Sequence, residues 1–142
     1  MAQHLDERAW REILAETTHP GKLATITRDG SPTIAPIWFV LDGDDLVFNT
    51  GERLLKAQHL RRDPRAALIV DQVEFPYGYV LVRGTVTWDE AAPDLAAWAT
   101  RIAERYVPAG RAQEYGERNG VPGEWLCRLR IERVSAIADI AG

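Results

Sequence analysis

One cysteine, Cys127, is all the thiol chemistry the 142-residue sequence holds. It allows no intrachain disulfide and no multi-cysteine zinc site, and such sparing use suits a reducing compartment. Long apolar runs are missing too. The longest, Ile34 to Leu41, contains Pro36 and is far too short to span a bilayer. The first eight residues, Met1 to Arg8, are charged and lack the apolar stretch of a signal peptide. A cytoplasmic protein with no membrane partner is therefore expected. An excess of positive charge is absent as well: 17 Lys and Arg stand against 21 Asp and Glu, for a formal charge of −4. Proteins that neutralise many nucleic-acid phosphates are basic, at least locally, so nucleic acid is not an expected partner.

The common catalytic signatures are also lacking. There is no Walker loop and no GxGxxG fingerprint. His4, His19 and His59 have no metal-ligand spacing, so no metal is expected. Ser31 and Ser135 lack the strained elbow of an activated serine. The acidic run Asp42-Gly43-Asp44-Asp45 lacks the rest of a calcium loop and reads as a turn.

What is present fits one domain over residues 1–142, long enough to bury about 68–70% of the surface its unfolded chain exposes. Leu5, Ala9, Trp10, Ile13 and Leu14 form the apolar stripe of a first helix, which His19-Pro20-Gly21 ends. Lys22 to Thr27 reads as a strand, Arg28 to Ser31 as a tight turn carrying Asp-Gly, and Pro32 to Leu41 as a second strand. Both faces of that strand are apolar, so both should be covered, one by the barrel interior and the other by a partner or ligand. Leu46 to Asn49 is a third strand. A helix is then expected to open at Thr50, a good N-cap, and to stop at Asp63-Pro64. Ala66 to Asp71, Tyr79 to Trp88 and Trp125 to Ile137 are further strands, with helices at Pro93–Tyr106 and Arg111–Glu117. Six strands joined mostly as hairpins predict a mainly β fold, an antiparallel barrel with short outer helices.

Two segments carry candidate chemistry. The first is Asn49 to Arg65, where a strand feeds a helix. A helix N-terminus presents free N–H groups and a positive dipole end, which suits an anion. Arg53 and Lys56 lie three apart near that end, where cations oppose the dipole unless an anion sits between them. A solvated basic helix face gives the same pattern. The second is Ala35-Pro36-Ile37-Trp38-Phe39. Pro36 removes one ladder donor, and Trp38 suits either a flat ring or the core. Cys127 alternates with Trp125, Leu129 and Ile131 and reads as a buried apolar filler rather than a redox thiol.

In order and spacing, the sequence resembles the pyridoxamine-phosphate-oxidase-like split-barrel flavoproteins over residues 5 to 138. It is closest to their actinobacterial branch that uses the deazaflavin coenzyme F-420. The residues that carry the likeness are Leu23-Ala24-Thr25, Asp29-Gly30-Ser31-Pro32, Pro36-Ile37-Trp38-Phe39, Asn49-Thr50 with Lys56, Leu60-Arg61-Arg62-Asp63-Pro64-Arg65, and Arg83-Gly84-Thr85-Val86. The resemblance implies a homodimer with a cofactor at the interface. It implies that Asn49, Thr50, Arg53 and Lys56 hold the cofactor phosphate, and that Pro36, Ile37 and Trp38 line the ring. It places Val70 and Asp71 beside the ring, with Tyr77 or Tyr79 reaching over from the partner. Members that oxidise pyridoxamine phosphate carry a C-terminal segment that helps bind it; this sequence stops at Gly142, so another substrate is expected. The implied activity is hydride transfer between reduced F-420 and an unsaturated small organic substrate. The alternatives are FMN in the same fold, and a non-catalytic flavin or haem carrier. Arg61, Arg62, Arg65, Arg128 and Arg130 are candidates for the acidic F-420 tail, and His19 and His59 for a haem ligand. No general acid stands out.

Overall fold

The computed structural model describes residues 1–142. Its frame is one antiparallel sheet of eight strands, open along two edges, with four helices around it. The strands are β1 (Gln3–His4), β2 (Gly21–Ile26), β3 (Pro32–Ile37), β4 (Val40–Asp42), β5 (Asp45–Gly51), β6 (Arg65–Gln72), β7 (Gly78–Asp89) and β8 (Glu124–Ala138). The helices are α1 (Glu7–Glu16), α2 (Leu55–Arg62), α3 (Leu95–Tyr106) and α4 (Ala112–Asn119). The spatial order is β3-β2-β6-β7-β8-β5-β4, and β1 adds to the far end of β8. This is a split barrel.

Eight strands rather than six arise for two reasons. The N-terminal pair Gln3–His4 is too short to show any alternation, yet it docks on Ala138 and Ile137. The expected strand Pro32 to Leu41 breaks after Ile37, because its halves pair with different neighbours: β3 with β2, and β4 with β5. Tyr106 of α3 stands at the break. Its hydroxyl donates to the Phe39 carbonyl at 3.2 Å and accepts from the Phe39 N–H at 3.3 Å, so this residue's backbone stays satisfied off the ladder.

The main core lies inside the sheet. Leu23, Leu68, Val70, Val80, Val82, Leu46, Phe48, Cys127 and Leu129 alternate inward from their strands, and Leu14 of α1 with Ala57 and Leu60 of α2 close the ends. A second, smaller core lies outside β4, β5 and β8, where Val40, Val47 and Leu126 meet Leu95 and Ile102 of α3. Phe39 enters the first core and Val40 the second. This half of the expected strand is thus covered on both sides within one chain. The Pro32–Pro36 half is not; Ile34 is 64% exposed.

Local chemistry sets the ends of α1. Asp6 caps its start by accepting from the Ala9 N–H at 2.9 Å. Arg105 of α3 donates to the Leu14 and Ala15 carbonyls at 2.9 and 2.8 Å, placing a cation at its end. The long pair β7–β8 shifts register between Arg83 and Gly84. A Cβ at Gly84 would lie 1.7 Å from the Arg130 carbonyl oxygen, so only glycine fits that approach. No helix is long and apolar enough to cross a membrane.

Candidate cofactor site

The strand β5 runs to Gly51, so Thr50 belongs to the sheet and not to a helix cap. The helix starts four residues later than the pattern predicts: its N-cap is Leu54 rather than Thr50, and Leu54 offers no side-chain hydrogen bond. The β5–β8 ladder continues to the Gly51–Glu124 pair, which holds residues 50 and 51 extended. Tertiary pairing therefore outweighs the capping preference of threonine. Arg53 falls in the connecting turn and Lys56 in the first turn of α2.

The resulting corner has the properties of an anion cradle. The first N–H groups of α2 lack a side-chain cap, and no acidic residue lies in its first turn. Neither Arg53 nor Lys56 takes part in any of the ion pairs that engage Arg61, Arg65 and Arg128. The Thr50 side chain is buried, and its hydroxyl has no hydrogen-bond partner. Directly across the ladder from Thr50 is Trp125, whose buried indole N–H is also unpartnered. Buried polar groups are nearly always satisfied, and two orphans on paired residues mark a place built for a further polar atom. Asn49, one residue earlier on β5, points to the opposite face. Its amide donates to Glu124 Oε1 at 3.1 Å and to the Asn119 carbonyl at 3.4 Å. Thr50 ends the strand that leads through Arg53 to Lys56 in the first turn of α2, while Asn49 lies on the far side of β5.

Glu124 was not legible as a site residue. It sits at the rim of the corner, hydrogen-bonded to Asn49, and Lys56 lies within electrostatic reach. Burial holds its carboxyl above the usual range, against the opposing pulls of Asn49 and Lys56. Only the pairing of β5 with β8 brings it there. Cys127 is fully buried and its thiol is pushed up to about 12, first by burial and then by the charge of Glu124. A thiol so held stays protonated and unreactive at neutral pH.

Of the other expected residues, Pro36, Asp71 and Tyr79 lie on the outer face of the sheet. Pro36 pairs with Lys22, which bonds Asp71 Oδ1 at 3.1 Å, and Asp71 pairs with Tyr79. Pro36, Lys22, Asp71 and Tyr79 thus form a diagonal line across β3, β2, β6 and β7, since the ladder partner of Lys22 on β6 is Ile69. The Lys22 ammonium holds the Asp71 carboxyl below the usual range. Lys22, like Glu124, was not among the expected residues, although it is the one charge on a strand otherwise built of Gly, Leu, Ala, Thr and Ile. Ile37 and Val70 point the other way, into the core. Trp38 is packed between helices: its ring stacks on Tyr106, with centroids 5.4 Å apart and planes 7° off parallel, and tilts against Tyr115. Tyr77 is exposed on the loop before β7 and, with Asp71 and His19, lines an open hollow of about 630 Å³ beside α1. His59 is buried and its Nδ1 is 3.2 Å from the Thr25 hydroxyl, so that nitrogen is already engaged.

A family model described as pyridoxamine 5'-phosphate oxidase matches residues 7–138. Among solved structures, an F-420 reductase is 27% identical, with a TM-score of 0.67 over 87% of this chain and 94% of its own. A conserved hypothetical protein from Mycobacterium tuberculosis superposes with a TM-score of 0.79 at 20% identity, covering 93% of this chain and 84% of its own. A haem storage protein from Vibrio cholerae gives 0.69 at 15% identity, over 90% and 92%. The last two likenesses speak to the fold alone.

Proposed function

Because the chain belongs to the pyridoxamine 5'-phosphate oxidase family, we propose that it is an F-420-dependent oxidoreductase that works as a homodimer on an unsaturated small organic substrate. The observation that carries this reading is the corner at the start of α2. An uncapped helix N-terminus, two cations outside any ion pair and a buried, unpartnered hydroxyl together suit a cofactor phosphate. FMN carries the same group and would use the same donors. The similarity to an F-420 reductase favours the deazaflavin.

In this reading the bound cofactor supplies the hydride. The chain holds and orients it. Arg53, Lys56 and the first N–H groups of α2 neutralise the phosphate, and the Thr50 hydroxyl donates to it. Asn49 keeps the Glu124 carboxyl bonded at the rim. On the outer face Pro36 and Tyr79 provide apolar surface, while Lys22 and Asp71 set a donor and an acceptor between them. That face is uncovered at Ile34, and a second copy seated there would exclude water from the ring.

Calorimetric titration of the purified protein with F-420 and, separately, with FMN tests the reading. One F-420 per chain with weak or no FMN binding supports it. FMN binding alone moves the protein to a flavin chemistry. Binding of neither overturns the cradle. Sedimentation equilibrium showing a monomer at micromolar concentration would remove the homodimer from the proposal.

A further inference from the structure

The hollow of about 630 Å³ beside α1 is assembled from three distant parts of the chain: α1 with the turn after it, the end of β6 with the loop that follows, and the residues where β8 ends. Asp71 joins this hollow to the face assigned above to the cofactor ring. Its carboxyl bonds Lys22 on that face at 3.1 Å, and its backbone carbonyl oxygen stands 3.4 Å from Nδ1 of His19 in the hollow. The backbone of His19 is held as well. Its N–H donates to the Thr17 hydroxyl at 3.1 Å, and the Tyr106 hydroxyl of α3 lies 3.4 Å from its carbonyl oxygen. The imidazole itself is exposed.

Addition of a hydride to a double bond leaves the substrate one proton short, so a site for that reaction needs an acid. The other ionisable groups of the hollow are Glu12 and Glu16 from α1, Asp71 from β6, Glu74 and Tyr77 from the next loop, and Asp139 after β8; no Lys or Arg lines it. The bond to Lys22, with a smaller pull from His19, holds the Asp71 carboxyl below the usual range despite its partial burial, so it has no proton to give at neutral pH. Burial holds the Tyr106 phenol above its usual range, which makes it a poor donor. Carboxylic acids in general give up their protons near about pH 4 and phenols near about pH 10, while imidazole is the side-chain type that changes charge between about pH 5 and 8. A carbonyl oxygen can only accept. Nδ1 of His19, facing the Asp71 carbonyl, therefore carries hydrogen in both charge states, and Nε2 is the atom that gains and loses the proton.

We infer that His19 is the proton donor of the reaction and that the substrate sits in this hollow against its Nε2. The inference rests on the F-420 reading above. The substrate's double bond receives a hydride from the reduced deazaflavin at one carbon, where a C–H bond forms. The π electrons move to the other carbon and its conjugated acceptor group. The Nε2–H bond of the imidazolium then breaks, and its proton makes the second C–H bond. The products are the oxidised cofactor and a substrate with two more hydrogens. Solvent reprotonates the imidazole and takes up the proton released on oxidation of the cofactor. Five carboxylates around the hollow repel an anion, so the substrate is neutral or cationic.

The test compares the wild type with His19→Gln, using reduced F-420 and cyclohexenone, a neutral conjugated probe. Glutamine keeps an amide N–H for the Asp71 carbonyl but has no proton to give, so a merely structural role would survive the change. The variant should lose about a hundredfold to ten-thousandfold in kcat, while calorimetric titration shows its F-420 affinity unchanged and circular dichroism its fold intact. For the wild type, kcat/KM should be highest at low pH and fall as the imidazole loses its proton; the variant should show no such fall. In the free protein, the His19 NMR signals, assigned by their absence from the variant, should titrate with the midpoint of that kcat/KM profile. Imidazole added to His19→Ala should restore part of the rate, since the open hollow admits it. Full activity of His19→Gln, an unchanged pH profile, or a His19 signal whose midpoint departs from the kinetic one overturns the inference. So does a wild type that binds F-420 and leaves cyclohexenone unreduced. In all these cases F-420 still binds and the reading of the fold's cofactor stands. A wild type that binds no F-420 removes that reading, and the inference with it.

Discussion

Replacing Thr50 by Val separates what the chain needs for folding from what it keeps for binding. Valine has nearly the same shape and suits a strand as well as threonine does, so the change substitutes a methyl for the hydroxyl. In the structure that hydroxyl is buried and unpartnered. A buried hydrogen-bonding group without a partner costs about 1–3 kcal/mol. Thr50→Val should therefore raise the stability of the cofactor-free protein by about 1–2 kcal/mol, or about 3–6 °C in Tm for a chain of this size. The same change should weaken cofactor binding. A neutral donor to a charged phosphate is worth about 1.5–3 kcal/mol, which is about tenfold to a hundredfold in Kd. Differential scanning calorimetry of the free protein and calorimetric titration with F-420 give the two numbers. Stability gained and affinity lost together would identify a group retained for its ligand. A lower Tm would show that the hydroxyl already has a partner in the free protein, and the argument from an orphaned group would fail. A higher Tm with unchanged affinity would place the phosphate elsewhere.

Three further outcomes follow from the same geometry. Lys56→Ala should leave the fold intact and weaken cofactor binding by about tenfold to a hundredfold, since the cation has no ion-pair partner to lose; unchanged affinity in a titration would misplace the cradle. Glu124→Gln should stabilise the free protein at neutral pH by about 0.2–1 kcal/mol, a range that allows for solvent screening. Its carboxyl is held above the usual value, so its contribution is fully favourable only below about pH 4.3, the unfolded value, and is lost as pH rises through the folded one. Thermal melts from pH 4 to 8 should show a flatter profile for the variant, and its affinity for an anionic cofactor should rise. Cys127→Ala should cost about 1–2 kcal/mol in packing yet retain activity; a folded but inactive variant would overturn its assignment as a filler.

The strand periodicities, the hairpin turns and the helix at α3 were open to reading because each depends on neighbours in sequence. So was the basic segment from Arg53 to Lys56, and the alternation that buries Cys127 beside Trp125 and Leu129. Those patterns were enough for a mainly β barrel with outer helices. What they could not contain is which strand lies beside which. The β5–β8 ladder alone holds Thr50 in a strand, sets it opposite Trp125 and brings Glu124 to the rim, across more than seventy residues of chain. The same non-local pairing puts Lys22 between Pro36 and Asp71. Trp38 shows the limit most plainly. A lone aromatic on an apolar strand suits a ring or a core equally well, and only the arrival of Tyr106 and Tyr115 from helices nearly seventy residues or more away commits it to packing. Local propensity and alternation are properties of neighbouring residues, whereas register and layer contacts form only when distant segments close on one another. The sequence by itself determined the elements; the tertiary structure decided which side chains come together.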